Sequence, residues 1–313
     1  MSLGTLCCIR EAAAERSDLD PTIGYNYGEV ETAHTAGVAA AQRAGSNSVS
    51  ALFLNPANIA VGRVYHVTAF AHVLPEAQRQ TYGAAATDSV SSPIHLAGAA
   101  GVTYNLQDSS GIKRRYTDVR FALAFPFSDR FFVGLGGRYL MLRQNGDGPL
   151  GDSLASGGLS GLNIVRAFSL DAGTTFKPTP EISLALVGTG LENAGHGFLP
   201  TTLGSGVAYG RREFSLEGDL VFDFTTWQET RLRAQTGLDL LLADHYGVRA
   251  GYRFDQGAES HALSLGAGYI DRAFAFDLAL RRTVAGATST SIMAGFVVHL
   301  DNVGLSPSPS ETF

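Results

Sequence analysis

Long stretches of the chain alternate between apolar and polar residues with a period of two. The clearest run is 213–224, in which the apolar residues Phe214, Leu216, Leu220, Phe222 and Phe224 alternate with the polar residues Glu213, Ser215, Glu217, Asp219 and Asp223. Strong runs of the same kind cover 63–73, 117–127, 231–240, 246–254, 274–281 and 292–300, and fainter ones lie near 78–86, 93–105, 130–143, 163–177, 181–190 and 200–210. Because successive side chains of a strand point to opposite faces, the pattern predicts an all-β protein.

The length of these runs and the composition of their two faces favour a membrane barrel. Runs of about 9–13 residues suit tilted strands that cross a bilayer, whereas strands of soluble domains have about 5–6 residues. The apolar faces carry almost no charge, and the polar faces carry both signs. We therefore predict a transmembrane antiparallel β-barrel of about 14 strands (12–14), with Phe and Leu facing lipid. A soluble sandwich or up-and-down barrel is the alternative, because it also alternates.

In such a barrel the polar faces line the lumen, where charges of opposite sign can pair across neighbouring strands. Glu217 and Asp219, for example, are followed by Arg231 and Arg233 in the next run. The predicted lumen polar residues are Arg120, Arg138, Glu217, Asp219, Arg231, Arg233, Asp239, Arg249, Arg253 and Asp277. We interpret them as structural pairs rather than as a permeation site, and His66 and His72 as ordinary lumen polar residues.

Composition and charge narrow the function classes. The chain is 45% hydrophobic and 17% charged with a net charge of −6, which argues against nucleic acid as a partner. No stretch reaches the roughly 20 apolar residues of a transmembrane helix. Cys7 and Cys8 have neither disulfide nor metal-ligand spacing, and we predict no metal and no cofactor. No G-x-S-x-G elbow is present, and Gly134–Gly137 lies inside a strand, so we predict that the protein is not an enzyme.

The connections between the runs predict an outer-membrane location. Residues 125–130, 177–181 and 270–273 read as tight turns, whereas 144–161 is long and rich in Gly and Ser. Outer-membrane barrels have short turns on one side and longer loops outside. Residues 1–19 lack the basic start and apolar core of a signal peptide, so we expect either an upstream start or a removed signal.

The segment before the first strand differs from the rest. We predict four regions: a disordered or extended segment at 1–33, a hatch or plug at 34–62, the barrel at 63–300 and a disordered tail at 301–313. A short helix is expected over the alanine-rich stretch 34–43. Asn55-Pro56 then starts a turn, because proline fixes its own φ and favours an extended residue before it.

This segment resembles a known family. Ala51-Leu52-Phe53-Leu54-Asn55-Pro56-Ala57-Asn58-Ile59-Ala60 is similar to the A-x-x-x-N-P-A-G-L-A element of the FadL/OmpP1 transporters of hydrophobic compounds, with Asn58-Ile59 in place of Gly-Leu. The resemblance covers 33–62, and the rest of the chain matches only in barrel pattern. It implies a hatch inside a 14-stranded barrel, formed by Ala51, Leu52, Phe53, Asn55, Pro56 and Ala57, and a small, fatty-acid-like compound that leaves sideways through the wall.

Two alternatives to a gated channel stay open. Barrels related to PorV of the type IX secretion system carry a similar element, which implies a non-transporting platform for a secreted or surface protein. Asn55 and Pro56 could equally form a turn that seals the barrel floor without a gating role. The expected partners are outer-membrane lipid and a small hydrophobic ligand, and the expected oligomeric state is a monomer.

Overall fold

Fourteen antiparallel strands form a closed barrel in the computed structural model, which describes residues 29–108, 113–143, 164–192, 199–227 and 229–300. Each strand pairs with its neighbours in the chain, and β1 closes the barrel on β14. The strands are β1 Tyr65–Leu74, β2 Arg79–Asp88, β3 Ala97–Gln107, β4 Arg114–Ser128, β5 Phe131–Arg143, β6 Ile164–Phe176, β7 Ile182–Thr189, β8 Thr202–Gly210, β9 Phe214–Asp223, β10 Arg231–Leu242, β11 Tyr246–Asp255, β12 Ser260–Ile270, β13 Phe274–Ala285 and β14 Thr290–His299. The predicted fold class is confirmed, and β12 is the strand that the alternation did not single out.

The barrel is apolar outside and charged inside. Leu135 and Leu265 on the outer face are 70% and 63% exposed, whereas Arg233 and Asp219 on the inner face are each 2% exposed. A continuous apolar outer surface of this kind requires lipid around it, because soluble monomers rarely expose such patches. Among the described residues, no helix has the length and apolar content that a membrane crossing requires.

The two rims of the barrel differ. Because the strands alternate in direction, Tyr65 and His299 lie at the same rim, together with the tight turns predicted at 125–130, 177–181 and 270–273. We call this the turn rim and the opposite one the loop rim. The predicted long loop at 144–161 connects β5 to β6 at the loop rim, but its residues lie outside the described ones, as do 1–28 and the predicted tail 301–313.

Residues 29–62 lie inside the barrel, and we call them the lumen segment. It contains helix α1 (Ala33–Gly37), helix α2 (Ser48–Leu54) and a 3-10 helix (Pro56–Ala60). The prediction of one helix over 34–43 was wrong in extent, because Ala39 and Ala40 have φ angles of 57° and 63° and cannot continue a right-handed helix. The predicted boundary at 33/34 is also too late, since Glu31 and Ala33 are already buried in the lumen.

At the loop rim a carboxylate ties the first turn to the last hairpin. Glu76, in the β1–β2 turn, accepts hydrogen bonds from the backbone N (2.9 Å) and the Oγ1 (2.7 Å) of Thr290 and from Nη1 of Arg282 (2.9 Å). Burial alone would raise the pKa of Glu76, but these donors outweigh it and lower the pKa below its usual 4.5. The contact therefore fastens the seam where β1 meets β14.

We expect this contact to weaken in acid. A lowered pKa in the folded state means that its stabilisation is complete above about pH 4.5 and is lost as the pH falls through the lowered value. The unfolding temperature of Glu76→Gln in detergent should therefore lie below that of the wild type at pH 7, and the difference should be smaller at an acidic pH below about 4.5. An equal difference at both pH values would contradict this assignment.

Candidate functional site: the lumen segment and a gap in the barrel wall

Helix α2 packs against small residues on the inner face of the barrel wall. Its apolar side chains Val49, Leu52 and Phe53 form one buried cluster with Ile59, Phe70 and the wall alanines Ala85, Ala97, Ala99, Ala122 and Ala124. The rings of Phe53 and Phe70 meet edge to face, with centroids 5.9 Å apart. The inner face of β2–β4 is thus apolar near the turn rim, where the alternation alone predicted polar residues.

The Asn-Pro turn is fixed to the wall by hydrogen bonds and by a close fit. Asn55 Nδ2 donates to Thr175 Oγ1 and to the Arg43 carbonyl oxygen, both at 2.9 Å, and Asn58 Nδ2 donates to the same carbonyl at 3.0 Å. A Cβ added at Gly134 would lie 2.4 Å from Ala57 N and from Pro56 C. Only glycine lets the turn approach β5 this closely.

Arg43 connects the lumen segment to the opposite wall. Its backbone N (2.9 Å) and Nη1 (3.2 Å) both donate to Asp219 Oδ2, and Nη1 also donates to Gln235 Oε1 at 2.9 Å. Its Nη2 binds Glu29, so the same guanidinium also holds the start of the described chain. Arg43 and Asp219 are each less than 5% exposed, so this contact is desolvated and depends on complete pairing.

A cluster of wall arginines binds the two glutamates of the lumen segment. Arg233 and Arg253 lie 3.7 Å from Glu29 oxygens, and Arg281 Nη2 lies 2.9 Å from Glu31 Oε2. The predicted pairing of Glu217 and Asp219 with Arg231 and Arg233 was wrong. In the register of β9 and β10, Asp219 lies opposite Gln235 and Arg233 opposite Val221, so Asp219 and Arg233 find their partners on the lumen segment instead.

Other predicted lumen residues pair with charged residues of the barrel wall itself. Arg138 Nη2 lies 2.7 Å from Asp118 Oδ2, and Arg120 Nη2 lies 3.3 Å from the same oxygen. Arg249 bridges Asp239 (3.1 Å) and Asp277 (2.6 Å). Glu217 is buried beside Gly45 of the lumen segment. Arg231 departs from the prediction: it sits at the loop rim, its side chain is 35% exposed, and its partner at 3.3 Å is Glu229.

The described ladder between β6 and β7 is short, and we call the stretch beyond it the β6–β7 gap; residues 193–198, which follow β7, lie outside the described ones. In the described residues, Ala172–Phe176 of β6 pair with 184–188 of β7, and no ladder pair with β7 is described for 164–171. Two hydrogen bonds continue the contact just beyond the end of this ladder: Leu191 N donates to the Leu170 carbonyl oxygen at 3.0 Å, and Gly190 N donates to Asp171 Oδ1 at 2.9 Å. This is the weakest seam in the described part of the barrel.

An apolar groove of about 790 Å³ lies on the outer wall beside the gap. Its lining includes Leu170, Leu186 and Gly188 at the gap and extends to Phe127 and Leu96 at the turn rim. On the lumen side of the gap, a polar cavity of only about 20 Å³ is lined by Asp171, Thr189, Arg43 and Phe53, among others. That space holds about one water molecule, so the lumen segment closes the gap from inside.

A small apolar cluster lies in the lumen near the loop rim. Leu140 and Leu142 of β5 and Tyr116 of β4 pack around Leu199, which follows β7 and turns inward, and Ala167 of β6 packs against them. All except Ala167 are 6% exposed or less. The side of the lumen that faces residues 164–171 of β6 therefore offers apolar contacts on the loop-rim side of the polar cavity.

These features define a class of protein: a membrane barrel whose lumen is filled by a segment of its own chain and whose described ladder is shortest between β6 and β7. The chain shares its fold with FadL-type transport proteins, which confirms the resemblance at the level of the fold. One similar solved structure is the Ralstonia pickettii toluene transporter TbuX, with 14% sequence identity, a TM-score of 0.60 and an alignment that covers 88% of this chain and 99% of that chain. The CymD monoaromatic hydrocarbon channel has 13% identity, a TM-score of 0.65 and coverage of 88% of this chain and 98% of that chain. A Pseudomonas aeruginosa FadL homologue has 14% identity, a TM-score of 0.60 and coverage of 86% of this chain and 97% of that chain. No family model and no curated protein matches the chain. TbuX and CymD are described as a transporter and a channel, not as enzymes.

The Asn-Pro turn predicted from the sequence lies in the lumen segment, but the sequence did not indicate most of the residues that fasten this segment to the wall. Ala51, Leu52, Phe53, Asn55, Pro56 and Ala57 all lie buried in the lumen segment. The missed residues are Glu29, Glu31, Arg43, Asn58, Asp118, Asp171, Thr175 and Arg281. The one available signal was the charge of Arg43 at the end of an otherwise apolar stretch, because a lone buried guanidinium requires carboxylate partners.

Proposed function

We propose that the protein is an outer-membrane channel for a small hydrophobic compound, which leaves the lumen sideways through the β6–β7 gap when the lumen segment shifts. The observation that carries the proposal is the gap itself, with an apolar groove outside it and the lumen segment directly behind it. An apolar compound gains free energy by moving from the lumen into this groove and onward into lipid.

The orientation of the barrel fits outward-to-inward uptake. In outer-membrane barrels the longer loops face outside and the short turns face the periplasm. The loop rim would then face outside, and the apolar cluster around Leu199 would meet an incoming compound first. The apolar groove extends to Leu96 and Phe127 at the turn rim, so the compound would reach the inner part of the bilayer, beyond the lipopolysaccharide leaflet.

Transport also requires a movement of the lumen segment, because the cavity behind the gap is too small for an organic molecule. Phe53 and Arg43 occupy that space, and Arg120 donates to the Phe53 carbonyl oxygen at 3.4 Å. The small alanines that seat helix α2 provide a smooth surface over which the helix could shift. The PorV-like docking platform stays a prediction that none of these contacts favours.

Uptake by intact cells tests the proposal. A bacterial host without its own channels for hydrophobic compounds would express the protein and receive labelled toluene or a labelled long-chain fatty acid. We expect uptake of at least one of them to exceed that of cells with an empty vector, because the lipopolysaccharide leaflet slows both compounds. Heat-modifiable migration of the protein on gels would verify a folded barrel. Folded protein with uptake equal to the vector for both compounds would overturn the proposal.

A further inference from the structure

A second cavity opens at the turn rim, on the opposite side of the lumen from the gap. It has a volume of about 200 Å³ and lies between the lumen segment and strands β1, β12, β13 and β14. Ile270, Ala275 and Val297 form an apolar side, and Ser48, Ser50 and His66 contribute polar groups. Asn47 at its edge is exposed, so this edge of the cavity lies at the protein surface.

Ser48 in this cavity has two features of an activated nucleophile. Its φ angle is +54°, in the left-handed region that a residue with a side chain rarely adopts. Its Oγ lies 2.6 Å from Nδ1 of His66, within the distance at which an imidazole can take a proton from a serine hydroxyl. Backbone strain at a residue hydrogen-bonded to a base is a pattern that accompanies function, because the surrounding structure must maintain it.

A third group holds the imidazole in place. The rings of His66 and His299 are stacked with centroids 4.4 Å apart and an interplanar angle of 30°. His299 is itself held by a hydrogen bond of 3.2 Å between its Nδ1 and the Arg272 carbonyl oxygen. The order of base, positioning residue and backbone parallels the arrangement by which hydrolases orient a catalytic histidine.

We propose that Ser48 and His66 form a nucleophile–base pair that cleaves small esters in this cavity. Ser48 Oγ attacks the ester carbonyl carbon while its proton passes to His66 Nδ1. The bond to the alkoxy group then breaks, and His66 returns the proton to the departing alcohol. Water, activated by His66, next attacks the acyl-serine and releases a carboxylic acid, which restores the serine. The net reaction is ester plus water to acid plus alcohol.

The size of the cavity limits the substrate class. Pockets for drug-sized ligands have about 300–1,000 Å³, so about 200 Å³ accommodates an acyl group of a few carbons. The apolar side formed by Ile270, Ala275 and Val297 suits an uncharged acyl chain. This activity is independent of the transport proposed above, because the cavity and the gap lie in different parts of the wall.

The experiment uses the full barrel in detergent and two reagents. A fluorophosphonate probe labels an activated serine, whose oxygen displaces fluoride at phosphorus, and p-nitrophenyl acetate serves as the ester substrate. Wild-type protein should be labelled at Ser48 and hydrolyse the acetate faster than the palmitate ester. Ser48→Ala should abolish both reactions. Ser50→Ala is the matched control, because Ser50 lines the same cavity but binds Thr32 Oγ1 at 2.9 Å instead of a histidine, and it should react like the wild type. His66→Gln should slow labelling about 100-fold or more.

Two variants of His299 test whether this residue positions the His66 ring or only supports the fold. His299→Phe keeps a ring to stack on His66 and should retain labelling, whereas His299→Ala should lower the labelling rate about tenfold or more. Heat-modifiable migration would confirm a folded barrel for each variant. No labelling of folded wild-type protein, or equal labelling of wild type and Ser48→Ala, would overturn the proposal.

Discussion

Arg43→Ala is expected to release the lumen segment and turn a closed barrel into a conducting one. Arg43 is the partner of both Asp219 and Glu29, and all three side chains are largely buried. Removing one partner of a buried ion pair costs about 3–5 kcal/mol, which shifts an equilibrium by about two to three and a half orders of magnitude. The hydrogen bond from the Arg43 backbone N to Asp219 is unaffected in the variant, so we expect a loosened segment rather than a misfolded barrel.

Conductance in planar bilayers measures this effect directly. Wild-type protein should conduct little, because its described lumen is filled, and Arg43→Ala should open frequently. Arg212→Ala is the control: Arg212 pairs with Asp244 at 3.0 Å, but their side chains are 74% and 62% exposed, and such surface pairs contribute at most about 1 kcal/mol. Equal conductance of wild type and Arg43→Ala, with both barrels intact, would show that Arg43 does not hold the segment.

Gly134→Ala is expected to push the Asn-Pro turn off the wall. The new Cβ would lie 2.4 Å from two backbone atoms of the turn, Pro56 C and Ala57 N, which cannot rotate away as a side chain could. Overpacking of this kind costs about 1–3 kcal/mol. The hydrogen bonds of the turn, such as Asn58 N to the Asn55 carbonyl at 3.0 Å, should then open more often.

Hydrogen exchange of the amides of residues 57–61 tests this prediction. An opening free energy lowered by about 1–3 kcal/mol gives exchange about 5- to 150-fold faster. The matched control lies two positions along the same strand and on the same face: a Cβ at Gly136 would lie 3.5 Å from Asp171 Cβ, an ordinary contact. If the amides of residues 57–61 exchange at the same rate in Gly134→Ala and Gly136→Ala, the close fit against Gly134 does not hold the turn on the wall.

The barrel could be predicted from strands whose two faces contrast strongly. In β9 the outer Leu220 and Phe222 alternate with the inner Asp219 and Asp223, so the period of two is plain. In β12 the inner positions are Ser264, Gly266 and Gly268, and the contrast with the outer face is weak. The reason is that helix α1 packs there: a Cβ at Gly266 would lie 3.0 Å from Gly37 Cα. Contact with the lumen segment requires small wall residues, and these weaken the apolar–polar alternation from which the strand could have been predicted.

The fastening of the lumen segment could not be predicted in the same way. Arg43 and Asp219 are separated by 176 positions, and no local pattern relates them. Cross-strand pairing was the natural expectation for Asp219, because neighbouring strands are adjacent by topology. It failed because a segment that fills the lumen competes for the same charges. The β6–β7 gap could not be predicted from the sequence either, because it depends on where a ladder stops rather than on which residues face the lumen.

The most direct test of the account is uptake of labelled toluene by cells that express Gly188→Trp or Gly218→Trp. Gly188 lies on the outer face in the apolar groove, and a Cβ there would approach only the end of the Leu191 side chain, at 2.9 Å. Gly218 lies on the outer face of β9, outside the residues that line the groove, where the nearest atom would be 3.9 Å away. We predict that Gly218→Trp takes up toluene like the wild type and that Gly188→Trp falls to the level of the empty vector. Uptake by Gly188→Trp equal to that of Gly218→Trp would show that the compound does not leave through this gap.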